Sequence, residues 1–149
     1  MLFSRPCEYA IHAMTYMAGA SKGVARAEEI AEAEEIPFPI LSKVLQDLAR
    51  KGLLDSRRGP GGGFRLSRSP ELITLRDIVA AMDDLNDFQR CVTGLPNCAD
   101  DTPCPLHETW KTMRAELMHS FATTTLVDMA KAASRKKKTG SLAKRSPRG

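Results

Sequence analysis

Long apolar runs are missing from this sequence, and no window approaches the roughly 18 apolar residues that would suggest a membrane-spanning helix. The N-terminus, MLFSRPCEYA, is interrupted by Arg5 and Glu8 and does not read as a signal peptide. A soluble, cytoplasmic protein is therefore expected. No internal repeat is visible. Outside one cysteine-rich stretch there is no nucleophile–base pairing, phosphate loop or carboxylate dyad in a supporting context, so no enzymatic activity is expected. Acids are absent after Asp128, where Lys131, Arg135, Lys136, Lys137, Lys138, Lys144, Arg145 and Arg148 supply eight positive charges. The other 14 basic residues face 18 acidic ones, so the body carries −4 and the overall +4 comes from the C-terminal end. A nucleic-acid partner must then be argued from local clustering of positive charge. Such a cluster lies between Ile40 and Arg68, where Lys43, Arg50, Lys51, Arg57, Arg58, Arg65 and Arg68 face only Asp47 and Asp55.

Cysteine is sparse but concentrated. Of four cysteines, three fall within CVTGLPNCADDTPCPLH, at Cys91, Cys98 and Cys104, with His107 closing the segment. Gly94, Pro96, Asn97, Asp100, Asp101, Pro103 and Pro105 favour turns and give the loop little apolar surface to bury. Something other than packing must order it, and clustered thiolates point to a metal centre. The spacing is Cys-x6-Cys-x5-Cys-x2-His. Structural zinc sites usually pair their ligands in tighter knuckles, whereas iron–sulfur clusters accept thiolates with a histidine as a further ligand. An iron–sulfur centre leads on spacing, with zinc and thiol redox chemistry behind it.

The rest of the chain reads as mainly helical. Tyr9, Ala13, Met14 and Met17 place a helix over 5–19, and residues 26–34 form a short second one around Ala27, Ile30 and Ala31. Pro37-Phe38-Pro39 opens a third from Ile40 to Lys51, with Leu41, Val44, Leu45 and Leu48 inward and Gly52 ending it. Helices two and three make a helix-turn-helix candidate. Leu53–Arg57 and Phe64–Ser67 then read as strands of a hairpin closed by Arg58-Gly59-Pro60-Gly61-Gly62-Gly63, a wing whose arginines suit a minor groove. Thr74 and Asp77 cap a helix over 75–82, and Thr125 and Asp128 cap a last short one. Between these, Leu106, Trp110, Met113, Leu117 and Phe121 form a helical stripe in want of a partner. Phe38 and Phe64 are read as core. From Ser134 onward disorder is expected.

The helix-turn-helix, the wing RGPGGGF (Arg58–Phe64) and the three-cysteine loop ending CPLH (Cys104–His107) together resemble the Rrf-two family. These are IscR/NsrR-type winged-helix transcription regulators of bacteria, and the resemblance covers nearly all of residues 1–130. It implies a homodimer on a double-stranded DNA operator, joined through the helix carrying Trp110, Met113, Leu117 and Phe121. It also implies an iron–sulfur cluster on Cys91, Cys98 and Cys104, a two-iron form ahead of a four-iron one, that senses iron–sulfur, redox or nitric oxide status. His107 matches a fourth ligand in part of the family. Glu8 matches a carboxylate that other members recruit from the partner subunit, and Cys7 and His12 lie close by in sequence. Pro39, Ser42, Lys43 and Gln46 would face the DNA from the third helix, and Arg57, Arg58 and Gly61 from the wing.

Three departures from the pattern stand out. The first cysteine gap is one residue longer than in the best-known members. Ser42 stands near a position where some members carry a contact glutamate. The helix-turn-helix turn reads Glu34-Glu35-Ile36, without the usual glycine. A non-glycine residue at positive φ costs roughly 1 kcal/mol, which favours a longer second helix. The expected organisation is a winged helix over 1–83, a cluster loop over 84–105, dimerisation and short C-terminal helices over 106–130, and a disordered basic tail over 131–149. Two other roles stay open: a cluster-free thiol switch on the same fold, and a protein-interaction module that sequesters an enzyme.

Overall fold

The computed structural model describes residues 2–96 and 98–138. Helix α1 (Arg5–Gly19) starts where the Cys7 N–H donates to the Ser4 hydroxyl, with Pro6 in the first turn. It buries Cys7, Ala10, Ala13, Met14 and Met17 along one side. Helices α2 (Ala27–Ala33) and α3 (Phe38–Arg50) cross beneath it, and α3 contributes Leu41, Val44, Leu45 and Leu48 to the core. At the end of α3 the Leu53 N–H donates to the Leu48 carbonyl and the Gly52 N–H to that of Ala49, with Gly52 at φ +80°. This is a Schellman ending, sealed by contact between two buried leucines.

The same ending closes α2, and there it corrects the expectation of a longer helix. Glu35 takes φ +53°, its N–H donates to Glu32, and the Ile36 N–H donates to Ala31. Ile36 and Ala31 are both buried, so the apolar seal offsets the left-handed strain at Glu35. Because Glu35 is itself exposed, Glu35→Gly should relieve that strain without touching the core. We expect about 1 kcal/mol of added stability, a gain of a few degrees in Tm by thermal denaturation.

Strands β1 (Leu54–Arg57) and β2 (Gly63–Leu66) pair antiparallel, with Leu54 opposite Leu66 and Arg57 opposite Gly63. The hairpin is tied to the body by a two-bond bridge between Ala25 and Phe64, at 2.8 Å in each direction. Helix α4 (Leu75–Met82) has the expected capping box of Thr74 and Asp77. Thr125 and Asp128 form a matching one for α6 (Leu126–Lys138). The two helix starts are joined: the Leu75 N–H donates to Thr124 and the Leu126 N–H to Ile73. Leu126 and Ile73 lie in the main core, so α6 packs back on α1 as part of the same unit as the winged helix.

Two further expectations change. Residues 131–138 are helical, not a disordered tail; Ala132, Ala133 and straight-chain lysines favour helix, and Arg135 to Lys138 suit the negative end of its dipole. The remainder, 139–149, lies outside the described residues. Helix α5 (His107–Thr123) also has less free stripe than expected. Phe121 is only 4% exposed, packed with Cys7, Val79 and Phe88 in a second core that Leu117 flanks. Phe3, Phe88 and Phe121 meet there at centroid distances of 5.5 to 6.3 Å. The chain covers that end of the stripe itself, leaving Met113 and Leu106 about half exposed toward the other end.

Candidate metal centre and nucleic-acid interface

The cysteine loop is anchored on both sides before any ligand is considered. A short turn over Leu85–Gln89 leads in, with Phe88 fastened in the second core. From α5, the Trp110 indole N–H donates to the Arg90 carbonyl at 2.9 Å and Arg114 to that of Gln89 at 3.0 Å. Between these anchors Arg90, Cys91, Leu95, Pro96 and Cys98 line a cavity of about 600 Å³.

Of the predicted ligands from the loop, Cys91 and Cys98 line this space and Cys104 and His107 do not. Among the described residues the three donor atoms that all lie within 4.8 Å of one another are those of Asp100, His107 and Glu108, not of the three cysteines. Cys91 Sγ lies 3.0 Å from the Thr93 hydroxyl. Cys98 Sγ lies 3.6 Å from His107 Nδ1. All three thiols are free and half-buried, and His107 is the one polar side chain among the described residues that is buried outright. Its other nitrogen, Nε2, lies 2.9 Å from Asp100 Oδ1, which Lys111 Nζ holds at 2.8 Å. This chain of contacts holds Asp100 well ionised, its carboxyl pulled down to about 2 by Lys111 first and His107 next. Thiols and an imidazole braced from behind by a carboxylate are donor types that an iron–sulfur cluster accepts. Asp100 was invisible as a partner in the sequence, where it is one acid of a turn-rich segment; only the start of α5 brings it to His107.

The other proposed ligands lie on α1, from which Glu8 would serve the loop of the partner subunit. Cys7 is fully buried in the second core, away from the loop thiols, and burial, then Asp83, pushes its thiol up to about 12. His12 Nδ1 pairs with Glu34 at 3.2 Å, joining α1 to the helix-turn-helix. Glu8 pairs with Arg5 at 3.7 Å, and no hydrogen bond or ion pair joins it to the cysteine loop among the described residues. The Cys91 thiol is pulled down to about 7, first by the Thr93 hydroxyl. In metal-free protein, iodoacetamide should therefore modify Cys91 first, at a rate rising through pH 7, while Cys7 stays unmodified until unfolding. Peptide mapping after brief alkylation reads this directly.

On the other side of the molecule, Pro39, Lys43 and Gln46 are exposed on α3 and Ser42 is half-buried, away from the core stripe. The basic cluster sorts itself. Arg50 is paired with Asp47, Arg65 with Asp55 and Arg68 with Asp77. Lys43, Arg57 and Arg58 are exposed and have no ion pair among the described residues. Gly61 sits at the wing tip with φ +73° and open space around it, while a Cβ at Gly62 would lie 2.5 Å from the Arg57 carbonyl. Phe64 packs against the core as expected, but Phe38 does not: it is 45% exposed, because the first turn of α3 projects beyond the layer α1 covers.

Residues 3–132 match the model of Rrf2, described as an iron-dependent transcriptional regulator. The chain belongs to the Rrf2 family of transcriptional regulators. A candidate HTH-type transcriptional regulator of Aquifex aeolicus (strain VF5) is 34% identical over 131 residues, covering 87% of this chain and 91% of that protein. IscR of Aliivibrio salmonicida is 32% identical over 110 residues, 73% of this chain and 65% of IscR. Among solved structures, CymR, the global cysteine regulator of B. subtilis, superposes with a TM-score of 0.73 at 23% identity, covering 89% of this chain and 98% of CymR. IscR of T. potens gives 0.69 at 24%, covering 92% and 91%. These superpositions establish the winged-helix Rrf2 fold. Like its relatives the chain is a regulator of transcription, and no described helix is long and apolar enough to cross a membrane.

Proposed function

We propose that this Rrf2 regulator binds a double-stranded DNA operator as a homodimer and holds an iron–sulfur cluster on Cys91, Cys98, Cys104 and His107. The observation that carries the reading is the buried His107 ring, with one nitrogen 3.6 Å from Cys98 and the other on Asp100. A hydrogen-bonded carboxylate behind a ligating imidazole fixes its tautomer and raises its basicity. The cluster would supply a group whose loss or oxidation changes with iron or redox status. Within the chain, Trp110 and Arg114 link the loop to α5, so the order of the loop bears on how α5 is presented.

Dimerisation is placed on the exposed end of α5, through Leu106, Met113 and the half-buried Trp110, with Leu117 at its edge. A symmetric pair would set two α3 helices into successive major grooves about 34 Å apart, with Arg57 and Arg58 at the flanking minor grooves. Met113→Glu should shift the protein from dimer to monomer in light scattering while leaving its circular dichroism unchanged; an intact dimer would remove this seam.

Anaerobic purification followed by visible spectroscopy and iron and sulfide analysis tests the cluster. Coloured protein containing both elements is expected, and Mössbauer spectra should change with His107→Ala and not with Glu8→Ala. Colourless, iron-free protein would instead favour a second reading on Cys91 and Cys104, supported by the free state of the loop cysteines and the lowered thiol of Cys91. There the two thiols would close to a disulfide, giving two electrons and two protons to an oxidant, and DNA binding would follow thiol state.

A further inference from the structure

Two large apolar side chains stand in the first turn of α3, where a core-facing explanation fails them. Phe38 and Ile40 are each 45% exposed, whereas Leu41 and Leu45 next to them are fully buried. At 100° per residue, the face opposite the core is centred on Pro39, Lys43 and Gln46. Phe38 and Ile40 border that face on its two sides. The surrounding charge is positive and unspent, since Lys43 on the same helix and Arg57 and Arg58 on the wing have no ion pair among the described residues. A polyanion therefore suits this surface better than an apolar protein partner. The residues at the start of a recognition helix are those that reach base edges, and the apolar feature of a base edge in the major groove is the thymine C5 methyl group.

We infer that Phe38 and Ile40 are specificity residues that read thymine methyl groups on either side of the bases met by the polar face of α3. Their exposed surface is covered on binding, and the operator half-site must carry thymines at the two matching positions. The remaining polar groups, Ser42, Lys43 and Gln46, offer hydrogen bonds between them but cannot distinguish a thymine from a uracil; the apolar pair can.

This inference rests on the operator-binding reading above, and the test separates the two. Full-length protein, purified without oxygen, is used to select duplexes from a randomised pool. Each thymine of the selected half-site is then replaced singly by deoxyuridine, which removes only the methyl group. Wild type should lose about fourfold in affinity at each of two positions, as expected for burial of one methyl. Phe38→Ala should abolish the loss at one position and Ile40→Ala at the other. Both side chains lie outside the core, and the uridine measurement on wild type needs no variant to fold. Selected duplexes bound equally well with thymine or uracil throughout would overturn the inference while leaving operator binding intact. Failure of wild type to select any sequence would overturn operator recognition and this inference together.

Discussion

Alanine at position 63 is expected to lower stability by about 3 kcal/mol and to abolish operator binding near the melting range of the variant. Gly63 lies at φ +146°, a conformation side chains with a Cβ rarely adopt. A Cβ there would sit 2.5 Å from the Ala25 carbonyl oxygen and 3.1 Å from Val24 Cγ1. That carbonyl accepts the Phe64 N–H, and Phe64 returns its carbonyl to the Ala25 N–H. The new methyl group cannot be placed without opening this bridge, which fixes the wing to the body. Backbone strain contributes about 1–3 kcal/mol and each lost hydrogen bond about 1 more. Gly61→Ala is the control. Its φ is also positive, but nothing lies within 4 Å, so only the left-handed cost of about 1 kcal/mol applies. Thermal denaturation should separate the variants by several degrees, and matched melting curves would mean the hairpin slides to accept the methyl group.

Much of this architecture was legible because its signals are local. The span of α1, the Thr74–Asp77 box, the inward stripe of α3 and the hairpin around RGPGGGF each follow from residues a few positions apart. What escaped was decided by distant partners. Glu35 tolerates a left-handed backbone because Ile36 and Ala31 meet beneath it, and no propensity at Glu35 reveals that contact. Phe121 continues a helical stripe, yet Phe3 and Phe88, 118 and 33 positions earlier in the chain, claim it for the interior. Phe38 has the spacing of a core residue with Leu41 and Leu45, but nothing is layered over the first turn of α3. The basic end of α6 has low hydropathy, which favours disorder, but its helix-forming side chains continue a helix already nucleated by Thr125 and Asp128. Among the cysteines, the sequence separated Cys7 from the other three by position; the structure separates it by burial as well.

The metal centre is where a single carboxylate should have a measurable consequence. In protein purified without oxygen, Cys98→Ala should reduce iron and sulfide to background, since it deletes one of the proposed ligands outright. Asp100→Asn should do something different. The carboxylate touches His107 Nε2 at 2.9 Å and Lys111 at 2.8 Å, while the thiols are served by other contacts. An amide of the same shape keeps the loop packed but surrenders the charge behind the imidazole, a loss that typically costs about 10–100-fold in metal affinity. The variant is therefore expected to assemble its cluster and then lose it to a chelator about 10–100 times sooner, read as decay of the visible band. Because Lys111 first and His107 next pull the Asp100 carboxyl down to about 2, the brace should keep its charge as pH falls through about 4, where an ordinary aspartate takes up a proton. Glu108→Gln gives the contrast, its carboxylate standing 4.0 Å from the same nitrogen and largely in solvent. Equal decay for wild type, Asp100→Asn and Glu108→Gln would mean that His107 is a buried helix-start residue and that the fourth ligand comes from elsewhere. A selective effect of Asp100→Asn would tie the imidazole to the cluster through the one contact that no spacing rule in the sequence foretells.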